Sequence, residues 1–160
     1  MSIDVKTVAR EFRKMGARCE PLRDRRSRRV VRYKCYFHNV EVNINPDDIN
    51  VTIVGELRLE FMHDEDPLTG LNSEEFMEIL KESSGAERVS ENVGGGRWEI
   101  QLEFPINKYE KALKVAKILG ETDLYPVLTN FDAELRIMSG DKHITSYKEL
   151  EEILNKMRTQ

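Results

Sequence analysis

Residues 94–104 read GGGRWEIQLEF, and this stretch decides how the chain is expected to fold. Three glycines, which adopt positive φ angles without strain, precede a segment in which apolar and polar residues alternate. A period of two is typical of a strand with one buried face, and that face carries Trp98, Ile100, Leu102 and Phe104. The stretch therefore predicts the turn and the second strand of a β-hairpin.

Segments on both sides of this hairpin alternate between strand and helix patterns. They are a strand at about 51–61, a helix capped by Asn72, a strand at about 88–93, a helix with a capping box at Asn107 and Glu110, and a strand at about 131–138. Segment 124–130 is expected to be a loop or an edge strand. The order is βαββαβ, so we predict an α+β, ferredoxin-like core with an antiparallel sheet over about residues 50–139.

Further elements flank this core. An apolar stripe at helical spacing predicts a helix over residues 3–15, and a weak strand is expected at 17–22. Strands at 30–37 and 40–44 would form an antiparallel meander with the strand at about 51–61. We interpret residues 1–160 as a single domain because no linker composition interrupts the chain. Its parts are a basic helix and hairpin extension (1–49), the core (50–139) and a C-terminal helix (146–158).

Composition narrows the class of protein. Hydrophobic residues make up 39% of the 160 residues and charged residues 34%, which still permits one ordinary core. No apolar run approaches the roughly 20 residues of a membrane span, and the N-terminus lacks a secretory pattern. Two cysteines cannot form a disulfide framework, so we expect a cytoplasmic protein in which both are reduced and Cys35 lies in the core.

Charge is distributed very unevenly along the chain. Residues 1–35 contain 12 Lys and Arg against four Asp and Glu, a charge of +8, whereas residues 36–160 carry −12, which together give the net −4. Nine of the twelve cations are arginines, whose planar guanidinium groups bind phosphate in a bidentate manner. This asymmetry indicates either a nucleic-acid-binding end or two oppositely charged faces that meet.

The densest basic segment is RDRRSRR at residues 23–29, followed by a strand whose outward face carries two cations and an aromatic ring. Guanidinium groups hold phosphates, and aromatic rings stack on bases. We predict non-enzymatic nucleic-acid binding, with RNA favoured over DNA because no helix-turn-helix or zinc-finger pattern is present. The predicted contact residues are Arg23, Arg25, Arg26, Arg28, Arg29, Arg32, Lys34 and Tyr36.

Two other functions stay open at this point. In the first, the protein self-associates, and its basic extension covers an acidic sheet face. In the second, a ferredoxin-like enzyme, or a ligand- or metal-binding protein, uses that face or the turn at residues 63–66. The carboxylates of the face would be Glu56, Glu60, Glu99, Glu103, Asp132 and Glu134. No catalytic residue, cofactor or metal is assigned, because no nucleophile-and-base, phosphate-loop or zinc-ligand spacing is found.

Residues 66–72, DPLTGLN, resemble the D-x-L-T-G-L motif that opens diguanylate cyclase (GGDEF) domains, and residues 94–98 stand loosely where the hairpin of that family would be. Gly96 and Arg97 replace the signature acids of that hairpin. The interval between the two motifs is also too short for the family's intervening elements. Neither the activity nor its residues are therefore assigned to this chain.

Overall fold

A computed structural model describes residues 3–58, 71–129 and 135–159. The described residues form four α-helices and nine strands, and the strands make one strongly curled, half-barrel sheet. The elements are α1 (Val5–Lys14), β1 (Arg18–Arg23), β2 (Val30–Phe37), β3 (Val40–Ile44), β4 (Asp48–Arg58), α2 (Ser73–Ser84), β5 (Arg88–Gly94), β6 (Arg97–Pro105), α3 (Tyr109–Thr122), β7 (Leu124–Thr129), β8 (Leu135–Ser139), β9 (Lys142–Ile144) and α4 (Tyr147–Arg158).

The sheet is mixed, and its order differs from the predicted one. Strands β1 to β4 form an antiparallel meander, β4 also pairs with β6, and β6 pairs with β5. The end of β4 pairs in parallel with β7, which continues into β8 and β9. The predicted antiparallel ferredoxin-like βαββαβ core over residues 50–139 is therefore wrong, because the sheet contains a parallel pair and runs on into the N-terminal meander.

Strand β4 holds the two parts of the sheet together. Its residues 48–55 pair with β6, whereas residues 56–58 pair with β7, so the pairing partner changes next to Gly55. A Cβ atom at Gly55 would lie 2.9 Å from Cε3 of Trp98 on β6 and 3.0 Å from the carbonyl oxygen of Pro126 on β7. The missing side chain therefore lets both neighbouring strands approach β4.

Alternation along the strands gives the sheet one apolar and one polar face. The apolar face packs against α1 and α3, while α2 and α4 pack against each other and against α3, with α2 also contacting the edge strand β5 and α4 the edge strand β9. Buried residues of this face include Phe37, Val42, Val51, Trp98 and Phe104. Within the described ranges, no helix is long and apolar enough to cross a membrane.

The predicted helices are present, but not all their ends are as expected. The side chain of Asn72 accepts a hydrogen bond from the Glu75 amide at 2.9 Å, which confirms that N-cap. The predicted capping box of Asn107 with Glu110 is wrong, because a 3₁₀ turn at Ile106–Lys108 precedes α3 and no side chain caps it.

The two cysteines are bonded to each other. Cys19 and Cys35 face one another across β1 and β2 and form a disulfide. Cys35 is buried in the core, as predicted, but the expectation of reduced thiols is wrong. The bond fastens the edge strand β1 to the rest of the sheet.

We expect Gly55→Ala to lower the free energy of unfolding by about 1–3 kcal/mol, because the added methyl group overpacks the site between Trp98 and Pro126. Gly94→Ala is the control, since Gly94 also belongs to a strand but has no atom within 4 Å of the place that the new methyl group would occupy. Urea unfolding of both variants measures the difference. Equal stability of the two variants would contradict the role given to Gly55.

We expect reduction of the Cys19–Cys35 disulfide to lower the free energy of unfolding by about 3 kcal/mol, because the bond closes a loop with a sequence separation of 16. Urea unfolding with and without reductant measures this loss. A double variant, Cys19→Ala with Cys35→Ala, should not respond to reductant. Labelling of both thiols in urea without reductant would contradict the disulfide.

Candidate nucleic-acid interface

The β1–β2 hairpin ends in a tip formed by residues 24–29, and Asp24 organises it. The Asp24 carboxylate accepts hydrogen bonds from the Arg26 amide at 3.1 Å and from the Ser27 hydroxyl at 3.2 Å. The Arg28 amide donates to the Asp24 carbonyl at 2.9 Å, and Arg28 adopts a left-handed φ of 59°. The one acid of the tip therefore shapes the loop.

Four arginine side chains of this tip are exposed: Arg25, Arg26, Arg28 and Arg29. In the part of the chain that the structure describes, no carboxylate lies within 4.0 Å of their guanidinium groups. Several cations elsewhere are paired: Arg88 lies 3.5 Å from Glu103, and Lys142 lies 3.7 Å from Glu149. The tip thus carries positive charge that the described residues do not neutralise.

The outer face of β1 and β2 continues this basic surface. It carries Arg32, Lys34 and Tyr36, as predicted from the alternation, and the strand register adds Arg18 directly opposite Tyr36. The Tyr36 ring contacts two cations, Arg18 Cζ at 4.8 Å and Lys34 Nζ at 5.7 Å from its centroid. Lys34 also lies 3.9 Å from Glu41, whereas Arg32 is exposed.

A basic cavity of about 460 Å³ opens on the other side of the hairpin, between it and α1. Its lining residues are Asp4, Val5, Lys6, Arg13, Pro21, Arg23, Val30 and Tyr33. Nη2 of Arg13 donates a hydrogen bond to the Cys19 carbonyl oxygen at 3.1 Å. Its guanidinium carbon lies over the Tyr33 ring, 5.5 Å from the ring centroid. Nη1 of Arg23 donates a hydrogen bond to the Arg28 carbonyl oxygen at 2.9 Å.

Arg29 lines a second cavity of about 480 Å³, next to Asp4 and Asp47.

The eight predicted contact residues therefore fall on three surfaces of one hairpin. Arg25, Arg26, Arg28 and Arg29 form the tip, Arg32, Lys34 and Tyr36 lie on the outer face, and Arg23 lines the basic cavity. Lys6, Arg13 and Arg18 belong to these surfaces but were not among the predicted contacts. The spacing of seven residues between Lys6 and Arg13 places them on one side of a helix, so the sequence held a signal for this pair. It held none for the register of Arg18.

The acidic side of the sheet is built differently, because several of its described carboxylates have arginine partners, among them Glu103, which pairs with Arg88 of the neighbouring strand β5. Arg97 lies 2.7 Å from Glu99 and 3.1 Å from Glu41. Strands β1 and β2 extend the sheet at one edge and do not cover this face within the chain. Arg136, on β8, is buried. Glu60, Asp132, Glu134 and the turn at 63–66 lie outside the described residues, among which no cluster of three or more His, Cys, Asp or Glu residues is placed to hold a metal.

Comparison with known proteins gives no further identification. The sequence matches no protein-family model, and neither the curated proteins nor the solved structures give a significant match. Function is therefore inferred from the geometry and the charge of the chain itself.

Proposed function

We propose that this protein binds single-stranded RNA through the β1–β2 hairpin and does so without catalysing a reaction. The observation that carries the proposal is the hairpin tip, where four exposed arginines have no carboxylate within ion-pair distance among the described residues. Guanidinium groups bind phosphate oxygens through paired, charge-assisted hydrogen bonds. A polyphosphate backbone would supply the counter-charge that the tip lacks.

The outer face of the hairpin supports an unpaired strand as the ligand. Bases of single-stranded RNA stack on aromatic rings and on guanidinium planes. Arg18 lies over Tyr36 at 4.8 Å, and Arg32 is exposed on the same face. Phosphates held at the tip would leave neighbouring bases within reach of these two arginines.

The rest of the chain would restrict binding to this end. Residues 36–160 carry a charge of −12, and a phosphate backbone is repelled by a surface of its own sign. The +8 of residues 1–35 and this acidic remainder would therefore orient an approaching RNA toward the hairpin. Self-association through the same arginines is the competing outcome, and it requires no nucleic acid.

We expect labelled single-stranded RNA to bind with a salt dependence set by the arginines of the tip. Neutralising four phosphates of a single strand releases their counterions, so the affinity should fall about 50-fold between about 50 and 200 mM salt, since the slope per phosphate is about −0.7. A variant with Arg25, Arg26, Arg28 and Arg29 changed to Gln should lose this affinity and flatten the slope. Fluorescence anisotropy with single-stranded RNA, duplex RNA and duplex DNA of equal length measures both quantities.

The control variant removes four charges from cations that already have carboxylate partners, by changing Arg88, Arg97, Lys117 and Lys142 to Gln. It should bind RNA nearly as tightly as the unchanged protein. Equal losses in the two variants would mean that only net charge matters. No binding at about 50 mM salt would overturn the proposal, and sedimentation at the same salt concentrations would then test self-association.

A further inference from the structure

The basic cavity between α1 and the β1–β2 hairpin has an excess of positive charge. Three cations line it, Lys6, Arg13 and Arg23, against the single carboxylate of Asp4. That carboxylate caps α1 by accepting a hydrogen bond from the Lys6 amide at 3.1 Å. Among residues 3–58, 71–129 and 135–159, no carboxylate lies within 4.0 Å of the three cationic groups. The cavity is therefore complementary to an anion with two charges.

Two of these cations are held in place before any ligand arrives. Arg13 is anchored on the Cys19 carbonyl and Arg23 on the Arg28 carbonyl, so each guanidinium uses one N–H group on the backbone and keeps others to donate. A side chain that is already ordered loses less conformational entropy when it binds. The position of both groups favours bidentate contact with phosphate oxygens.

The size and floor of the cavity suit more than a bare phosphate. Its volume of about 460 Å³ falls within the usual range of small-molecule sites. Exposed Pro21 and half-buried Val30 provide an apolar surface beside the cations, and the nearly buried ring of Tyr33 lies beneath Arg13. A phosphate attached to a sugar and a base would use both the charged and the apolar parts.

We propose that this cavity binds the terminal phosphate monoester of a nucleotide, carried either on the end of an RNA or on a free mononucleotide. The RNA source rests on the proposed function above, and the geometry connects the two surfaces. Arg23 lines the cavity and directly precedes the tip at residues 24–29, so a strand lying on the tip can place its end in the cavity. The backbone phosphates would then bind the tip, and the dianionic end would bind inside.

The test compares RNAs of one sequence that end in a 5′-hydroxyl, a 5′-phosphate or a 3′-phosphate, by fluorescence anisotropy on the full chain. The RNA with the preferred phosphorylated end should bind roughly tenfold more tightly than the hydroxyl-ended RNA, which is the gain expected from one charge-assisted contact. A gain of about fivefold is the smallest that supports the proposal. In parallel, AMP should raise the melting temperature of the protein without RNA, whereas adenosine should not, because only a ligand that binds the folded state stabilises it.

Lys6→Gln tests the cavity, because it removes one of its positive charges. The backbone amide of residue 6 can still donate its hydrogen bond to the Asp4 carboxylate, so the helix cap is kept. It should abolish the gain in affinity from the terminal phosphate and the AMP shift, while hydroxyl-ended RNA should still bind with the salt slope of the tip. Lys14→Gln is the matched control, since Lys14 lies on the same helix and pairs with Glu11 at 3.3 Å. It should leave all three readouts unchanged.

The outcomes separate the two proposals. If hydroxyl-ended RNA binds with the salt slope of the tip, but a terminal phosphate raises the affinity less than fivefold and AMP does not raise the melting temperature, the cavity proposal is overturned and RNA binding stands. If no RNA binds but AMP shifts the melting temperature and Lys6→Gln removes that shift, RNA binding fails and the nucleotide site stands. A phosphate gain that survives Lys6→Gln, or that Lys14→Gln removes equally, also overturns the cavity proposal.

Discussion

The sheet depends on one strand, β4, and on the absence of a side chain at Gly55. Strand β4 pairs with β3, β6 and β7, and the last two approach so closely at Gly55 that a methyl group would meet Trp98 and Pro126. Without that approach the meander β1–β4 and the strands β7–β9 would share no ladder. The position of the basic hairpin relative to the rest of the molecule follows from this connection, because β1 and β2 reach β4 only through β3.

At the opposite end of the meander, the hairpin must stay ordered although its like charges repel. Three features hold it in the structure: the Cys19–Cys35 disulfide, the hydrogen bonds of Asp24 within the tip, and the packing of α1 through buried Phe12. Each fixes the backbone and leaves the arginine side chains of the tip exposed. The core thus stabilises an edge whose tip arginines have no carboxylate partner among the described residues, and such an arrangement suits an anionic ligand.

Sequence patterns predicted the local structure well and the topology poorly, for a physical reason. Strands β2 and β6 and the cap at Asn72 follow from alternation and from side-chain chemistry that acts within a few residues. Segment 124–130 is predicted as a loop or an edge strand, whereas Leu124–Thr129 forms β7, which pairs with β4 on one side and with β8 on the other. Pro126 disfavours an interior strand, but it lies just before the residues that pair with β4. Pairing between residues 56–58 and 127–129 depends on packing between segments that are distant in the sequence, so no local sequence pattern predicts it. The disulfide was missed in the same way, since it needs Cys19 and Cys35 in one register.

The same distinction explains which parts of the candidate site were accessible to sequence reasoning. The tip is a continuous segment, so composition alone singled it out, and alternation then placed Arg32, Lys34 and Tyr36 on one face. The basic cavity joins a helix to a hairpin, and its cations come together only because Arg13 reaches the Cys19 carbonyl across the turn that joins α1 to β1. A surface made by one segment can be read from its residues. A cavity made by two depends on their packing, and in this protein that packing places three further positive charges directly behind an arginine-rich tip.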